Sequence, residues 1–128
     1  MPTPSRWTYF TVEELTCRCG CGQMKMDGEF MLKLVALRDL LGFPLPITSA
    51  YRCPKHNLAV AETGAAGPHT TGMAVDIAVS RERATALVRA ALGMDFRGIG
   101  LKQHGPESGR FVHLDTVQTR PVQILWTY

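Results

Sequence analysis

The sequence predicts one α+β domain over residues 1–128, not a doubly wound parallel sheet. Apolar residues at helical spacing, short alternating strands and connections short enough for hairpins lead to that reading. Residues 1–10 read as an irregular arm. Thr11 and Glu14 form a capping box that opens a short helix, broken by Cys17-Arg18-Cys19-Gly20-Cys21-Gly22. Asp27 caps a longer helix ending near Gly42, with a core stripe of Phe30, Leu34, Leu37 and Leu41 widened by Met31 and Val35. Pro44 and Pro46 stop it. A strand is expected over Ile47 to Tyr51, and a short helix over Pro54 to Glu62 with Pro near its start. After a small-residue loop, Met73 to Val79 alternates as a strand, with Ala74, Asp76 and Ala78 sharing one face. Ser80 caps a helix to about Leu92. Gly98 to Leu101 and Phe111 to Asp115 are two further strands, and Pro121 to Tyr128 is an edge strand or a packed tail.

The 128 residues are 45% hydrophobic and 20% charged, which excludes a disordered tail or a fibrous chain. No apolar run approaches the roughly 20 residues of a membrane helix. The net charge of +3 comes without a basic cluster, so it reads as a solvated surface and gives no expectation of nucleic-acid binding. The opening MPTPSRWTYF lacks the apolar segment of a signal peptide.

The chemistry-bearing residues are histidines and carboxylates on strands. Asp76 sits between two alanines on an otherwise apolar strand, where a buried, unpaired carboxylate is costly. His69 lies seven positions earlier. In Phe111-Val112-His113-Leu114-Asp115, alternation puts Phe111, His113 and Asp115 on one face. His69, Asp76 and His113 together make a donor set suited to one catalytic zinc ion, with a fourth position left for water.

The stretch Gly67-Pro68-His69-Thr70-Thr71-Gly72-Met73-Ala74-Val75-Asp76 resembles the Ser-x-His-x-x-Gly-x-Ala-x-Asp motif of the zinc D-Ala-D-Ala carboxypeptidases and peptidoglycan endopeptidases, with Gly67 in place of Ser. Ile47 to Asn57 resembles that family's Ser-x-Tyr-Arg segment, and Gly98-Ile99-Gly100 with Phe111 to Asp115 its closing strands. The opening Tyr9 to Leu15 with the cysteines is similar to a small phage or prophage subgroup. The resemblance implies a hedgehog/DD-peptidase-like fold, with a small, mainly antiparallel sheet and helices packed on its other side.

It also implies a zinc metallopeptidase that cuts a peptidoglycan peptide bond by attack of a metal-activated water, as a D,D-carboxypeptidase or a murein endopeptidase of endolysin type. Arg52 takes the place of the residue that stabilises the oxyanion or binds a substrate carboxylate, and Ser49, Tyr51 and Phe111 are expected to contact substrate. Many relatives carry an acidic residue just before the last ligand. Arg110 and Phe111 stand there instead, so Asp115 is the first choice of general base. Glu107 is the second choice, and His104 is a further candidate. Asp115 has an alternative role, orienting a zinc-bound histidine.

Cys17, Cys19, Cys21 and Cys53 suggest a disulfide from Cys53 to one of the other three, then a second metal site, then reduced buried thiols. The implied partner is a peptidoglycan stem peptide met by a monomer. The implied location is a cytoplasmic product carried to the wall or periplasm by phage-type delivery. Two other classes stand beside the enzyme: a non-catalytic, zinc-containing peptidoglycan-binding module, and a cysteine-cluster zinc protein on nucleic acid.

Overall fold

The computed structural model describes residues 2–128; the arm's Met1 lies outside them. Four α-helices and a five-stranded sheet follow one another as α1 (Val12–Leu15), α2 (Gly28–Leu41), β1 (Ile47–Ser49), α3 (Pro54–Val60), β2 (Ala74–Ile77), α4 (Arg81–Gly93), β3 (Gly98–Lys102), β4 (Phe111–Asp115) and β5 (Ile124–Thr127). The α+β architecture expected from the sequence is the one found.

Local sequence sets most boundaries. The Thr11 side chain accepts from the Glu14 backbone while Glu14 reaches back to the Thr11 N–H, so both ends of the capping box are made. Asp27 accepts from the Phe30 N–H at the start of α2, and Gly42 ends that helix in the left-handed conformation. The expected arm is anchored rather than loose: Trp7 and Phe10 are buried, and Pro4 bridges Thr11.

The strand order is β1-β2-β4-β3-β5, antiparallel except for the parallel β3–β5 edge pair. Sequence pattern gave no sign of that parallel pairing. It also missed the 3-10 turns at Pro68–Thr71 and Glu107–Gly109, and it extended β1 and α3 two residues too far. Alternation sends Val75, Ile77, Val112 and Leu114 into a core shared with Phe30, Leu34, Leu37, Leu87 and Phe96. The opposite face carries Asp76, His113 and Asp115. In the β2–β4 register Asp76 lies opposite His113 and Ala74 opposite Asp115, so directly paired side chains share that face.

Candidate active site

Register brings two of the three predicted ligands together, and a tight turn brings the third. Asp76 Oδ1 lies 3.0 Å from His113 Nδ1 and 3.3 Å from His69 Nε2. A tetrahedral ion with ligands at about 2.0–2.1 Å would hold them about 3.3 Å apart, so the spacing fits zinc. All three are buried. His69 sits in the 3-10 turn that precedes β2, which reverses at Gly72. Gly72 has φ +74, and a side chain there would meet the Lys25 carbonyl at 2.0 Å. The Asp27 N–H donates to the Gly72 carbonyl, so the N-cap of α2 also fixes the turn carrying His69.

The outer edge of each ring decides which nitrogen faces inward. His69 Nδ1 is 2.8 Å from the Ala50 carbonyl, an acceptor that requires N–H at Nδ1. His113 Nε2 is 2.7 Å from Asp115 Oδ2. His69 Nε2 and His113 Nδ1 are therefore the nitrogens available to a cation. The surroundings favour positive charge there. Burial pushes the His113 pKa down, but its hydrogen bonds and proximity to Asp115 and Asp76 outweigh this and raise it. Burial likewise opposes ionisation of Asp76, yet hydrogen bonds from His113 and His69 hold its carboxyl well below the usual range.

The placement of Asp115 corrects the first choice of general base. Its carboxylate is fully buried on the side of the His113 ring away from His69 and Asp76. Both oxygens are engaged: Oδ2 with His113 and Arg120, Oδ1 with Arg120 Nε at 3.0 Å and the Val117 N–H. A carboxylate so occupied holds the His113 ring in place, which is the geometry that the alternative role allowed by the sequence requires. Burial works against its ionisation, but His113 and then Arg120 hold its pKa low. Room for it comes from Gly98, where an added Cβ would lie 2.2 Å from Asp115 Oδ2. Gly100 does the same for Trp126, whose ring would lie 2.6 Å from an added Cβ. Arg120 and Trp126, stacked with the guanidinium 5.1 Å from the ring centroid, carried no sequence signal because they lie in an irregular stretch and an edge strand.

A cleft of about 510 Å³ opens over the inner ligand edges. Arg52, Glu62, Phe111, Trp126 and Tyr128 are among the residues that line it. One Arg52 nitrogen is 3.9 Å from Asp76 Oδ2 and another donates to Asn57 Oδ1 at 3.3 Å. Asn57, itself buried, also donates to the Thr63 hydroxyl and the Gly64 carbonyl. It thereby ties Arg52 to the loop that follows Glu62. Gly67 stands where the resembled motif has Ser, and the Thr63 hydroxyl takes up that space, 2.3 Å from where a Cβ would be.

Four other expectations need correction. Tyr51 is buried away from the cleft; burial and then the nearby thiols of Cys53, Cys17 and Cys21 raise its pKa. Ser49 ends β1 outside the cleft lining. Glu107 is exposed, paired with Arg81, and absent from the lining, as is exposed His104. Glu62, overlooked in the sequence because no motif flanks it, is the carboxylate besides Asp76 among the described lining residues.

A family model described as Peptidase M15 matches residues 8–115. The chain belongs to the peptidase M15 family. M15 members are zinc peptidases, so the family makes this a hydrolase, and the His69–Asp76–His113 cluster is one of two groups of side chains among the described residues that could hold a metal ion. The match takes in His69, Asp76 and His113 with Arg52 and Asp115, and leaves residues 116–128 beyond it. No curated protein and no solved structure matches the chain. Among the described residues no helix is long and apolar enough to cross a membrane.

The M15 chain holds a second group of donor side chains. The four cysteines are free thiols, so the expected disulfide is not formed. Cys17 Sγ lies 3.5 Å from Cys19 Sγ and 3.7 Å from Cys53 Sγ, and Cys19 Sγ is 3.7 Å from Cys53 Sγ. Burial resists ionisation of Cys17, but the N–H groups of Cys19 and Cys53 bring its pKa to about 7. The Cys21 N–H favours a thiolate at Cys19, but hydrogen bonds from its thiol to Cys21 and Cys17 hold its proton and push it to about 12.

Proposed function

We propose that this M15 protein is a zinc-dependent hydrolase of peptidoglycan peptide bonds, of the D,D-carboxypeptidase or murein endopeptidase type. The observation that carries the reading is the convergence of His69 Nε2, His113 Nδ1 and Asp76 Oδ1 beneath an open cleft that also holds a guanidinium. Zinc held by these three would supply a Lewis acid that makes water a better nucleophile and polarises a peptide carbonyl.

The chain's own residues supply the remaining functions. Arg52 binds a stem-peptide carboxylate or steadies negative charge developing on the carbonyl oxygen, and its fork geometry suits both tasks. Glu62 accepts the proton of the attacking water and returns it to the leaving amine. Asp115 fixes the His113 ring with an N–H at Nε2, and Arg120 keeps Asp115 ionised. Phe111 and Tyr128, with ring centroids 5.1 Å apart, form an apolar wall for the peptide. Residues 1–128 act as one domain, as a monomer on peptidoglycan, and a phage or prophage setting accounts for delivery to the wall.

One observation favours the binding-module alternative: with Asp115 sequestered, β4 offers no acid to the cleft. Digestion of purified peptidoglycan, read by mass spectrometry of the released muropeptides, separates the two. The enzyme reading expects shortened or uncrosslinked stems that vanish with chelator, return with zinc, and fall by about 100-fold or more in Glu62→Gln. Binding to the wall with no change in its muropeptides overturns catalysis and leaves the module.

A further inference from the structure

We propose that Cys17, Cys19, Cys21 and Cys53 form a second, purely structural zinc site that clamps the N-terminal segment to the residues carrying Arg52. The four sulfurs lie within 4.8 Å of one another, and three of them are spaced at 3.5–3.7 Å. Four thiolates around zinc at about 2.3 Å are separated by about 3.8 Å, so the spacing is that of a tetrahedral shell. A disulfide would join two sulfurs and strand the other two, whereas here each sulfur faces the rest. All four positions are filled by protein, so no exchangeable place is left for water and the site is closed to catalysis.

The backbone is built to present sulfur as an acceptor. The Cys53 N–H points at Cys17 Sγ and the His56 N–H at Cys53 Sγ, both at 3.4 Å. Such N–H groups offset thiolate charge that would otherwise repel within the cluster. Gly20 and Gly22 take φ of +87 and +77, and those left-handed bends let alternate residues of Cys17-Arg18-Cys19-Gly20-Cys21 converge. The loop closes where the Cys17 N–H donates to the Gln23 carbonyl at 2.8 Å. Cys53 is the N-cap of α3 and follows Arg52 directly. Metal at this place would fix the backbone from which Arg52 reaches Asp76. Binding is not a redox step: zinc enters as the dication and the thiol protons leave to solvent.

The test uses the full chain purified under reducing conditions and analysed for metal. The expected result is about two zinc ions per wild-type chain and about one in Cys21→Ser, a variant at an exposed position that leaves the core intact. His69→Ala/His113→Ala should retain the cysteine-bound ion, so this site can stand or fall apart from the proposed active site. Cobalt loading of that double variant should give intense sulfur-to-metal charge-transfer absorption, weakened but present in Cys21→His and lost in Cys17→Ser/Cys53→Ser. The proposal is overturned by one metal per wild-type chain that disappears with His69 and His113 alone. It is also overturned by a cobalt spectrum without thiolate bands, or by an intact mass showing a disulfide in the freshly reduced and refolded chain.

Discussion

The histidine and cysteine clusters reach similar donor spacing by opposite means. The first is set by strand register: Asp76 and His113 are cross-strand partners in the middle of the sheet. Each of its imidazoles is locked from outside, by the Ala50 carbonyl or by Asp115. The second is set by a loop whose alternate residues turn inward through two left-handed glycines, joined by a single residue from elsewhere. The sheet holds its donors through strand pairing; the loop holds its sulfurs through the Cys17 N–H bond to the Gln23 carbonyl and the Cys53 N–H bond to Cys17 Sγ. The comparison teaches that groups outside the rings orient the histidine donors, whereas backbone N–H groups and left-handed glycines arrange the sulfurs.

The largest effect that sharpens this contrast is expected in His113→Ala. It should abolish hydrolysis of peptidoglycan, measured as muropeptide release, while Cys21→Ser keeps measurable turnover. Equal losses in both would break the division between a working site and a supporting one. Next comes Asp115→Asn, which retains the side chain's shape but weakens the pairing with Arg120 and the grip on His113. Zinc affinity, measured by competition with a chromophoric chelator, should fall about 10–100-fold, with little change in the melting profile of the cysteine-bound segment.

The smallest effect is that of pH on zinc affinity at the histidine cluster. The raised pKa of His113 means that a proton competes with an ion there more strongly than at a free imidazole. Affinity should therefore fall as pH is lowered, by up to about tenfold per unit for each proton displaced, and should level off above the pKa of His113. Asp76, with its depressed pKa, stays ionised through that range and adds nothing to the slope. A pH-independent affinity between mildly acidic and neutral conditions would refute this coupling.

Much of the scaffold was legible in the sequence because its boundaries are made by local chemistry. The Thr11–Glu14 capping box, the Asp27 cap and the Gly42 stop act within a turn of the chain. Alternation along β2 and β4 was enough to put Asp76, His113 and Asp115 on one face. It could not say on which side of the His113 ring Asp115 would sit. That depends on the gap left by Gly98 across the sheet and on Arg120 arriving from an irregular segment, both fixed only in three dimensions. Tyr51 was misread because a motif gives adjacency to Arg52 but not the direction of a neighbouring side chain, which here turns into the core. Glu62 and Asn57 were passed over for a related reason: their positions come from how α3 and its following loop fold back over the cleft.

The parallel edge strand β5 carries a consequence of its own. Residues 116–128 lie past the stretch shared with the family model, yet they contribute Arg120, Trp126 and Tyr128 to the rim above the ligands. This stretch is coupled to the donors beneath it: Arg120 grips the Asp115 carboxylate that pairs with His113, and the Trp126 ring lies 5.3 Å from the His113 ring. The tail is therefore a buttress as well as a rim, and replacing Arg120 or Trp126 should loosen the His113 ring even though neither residue belongs to the donor set.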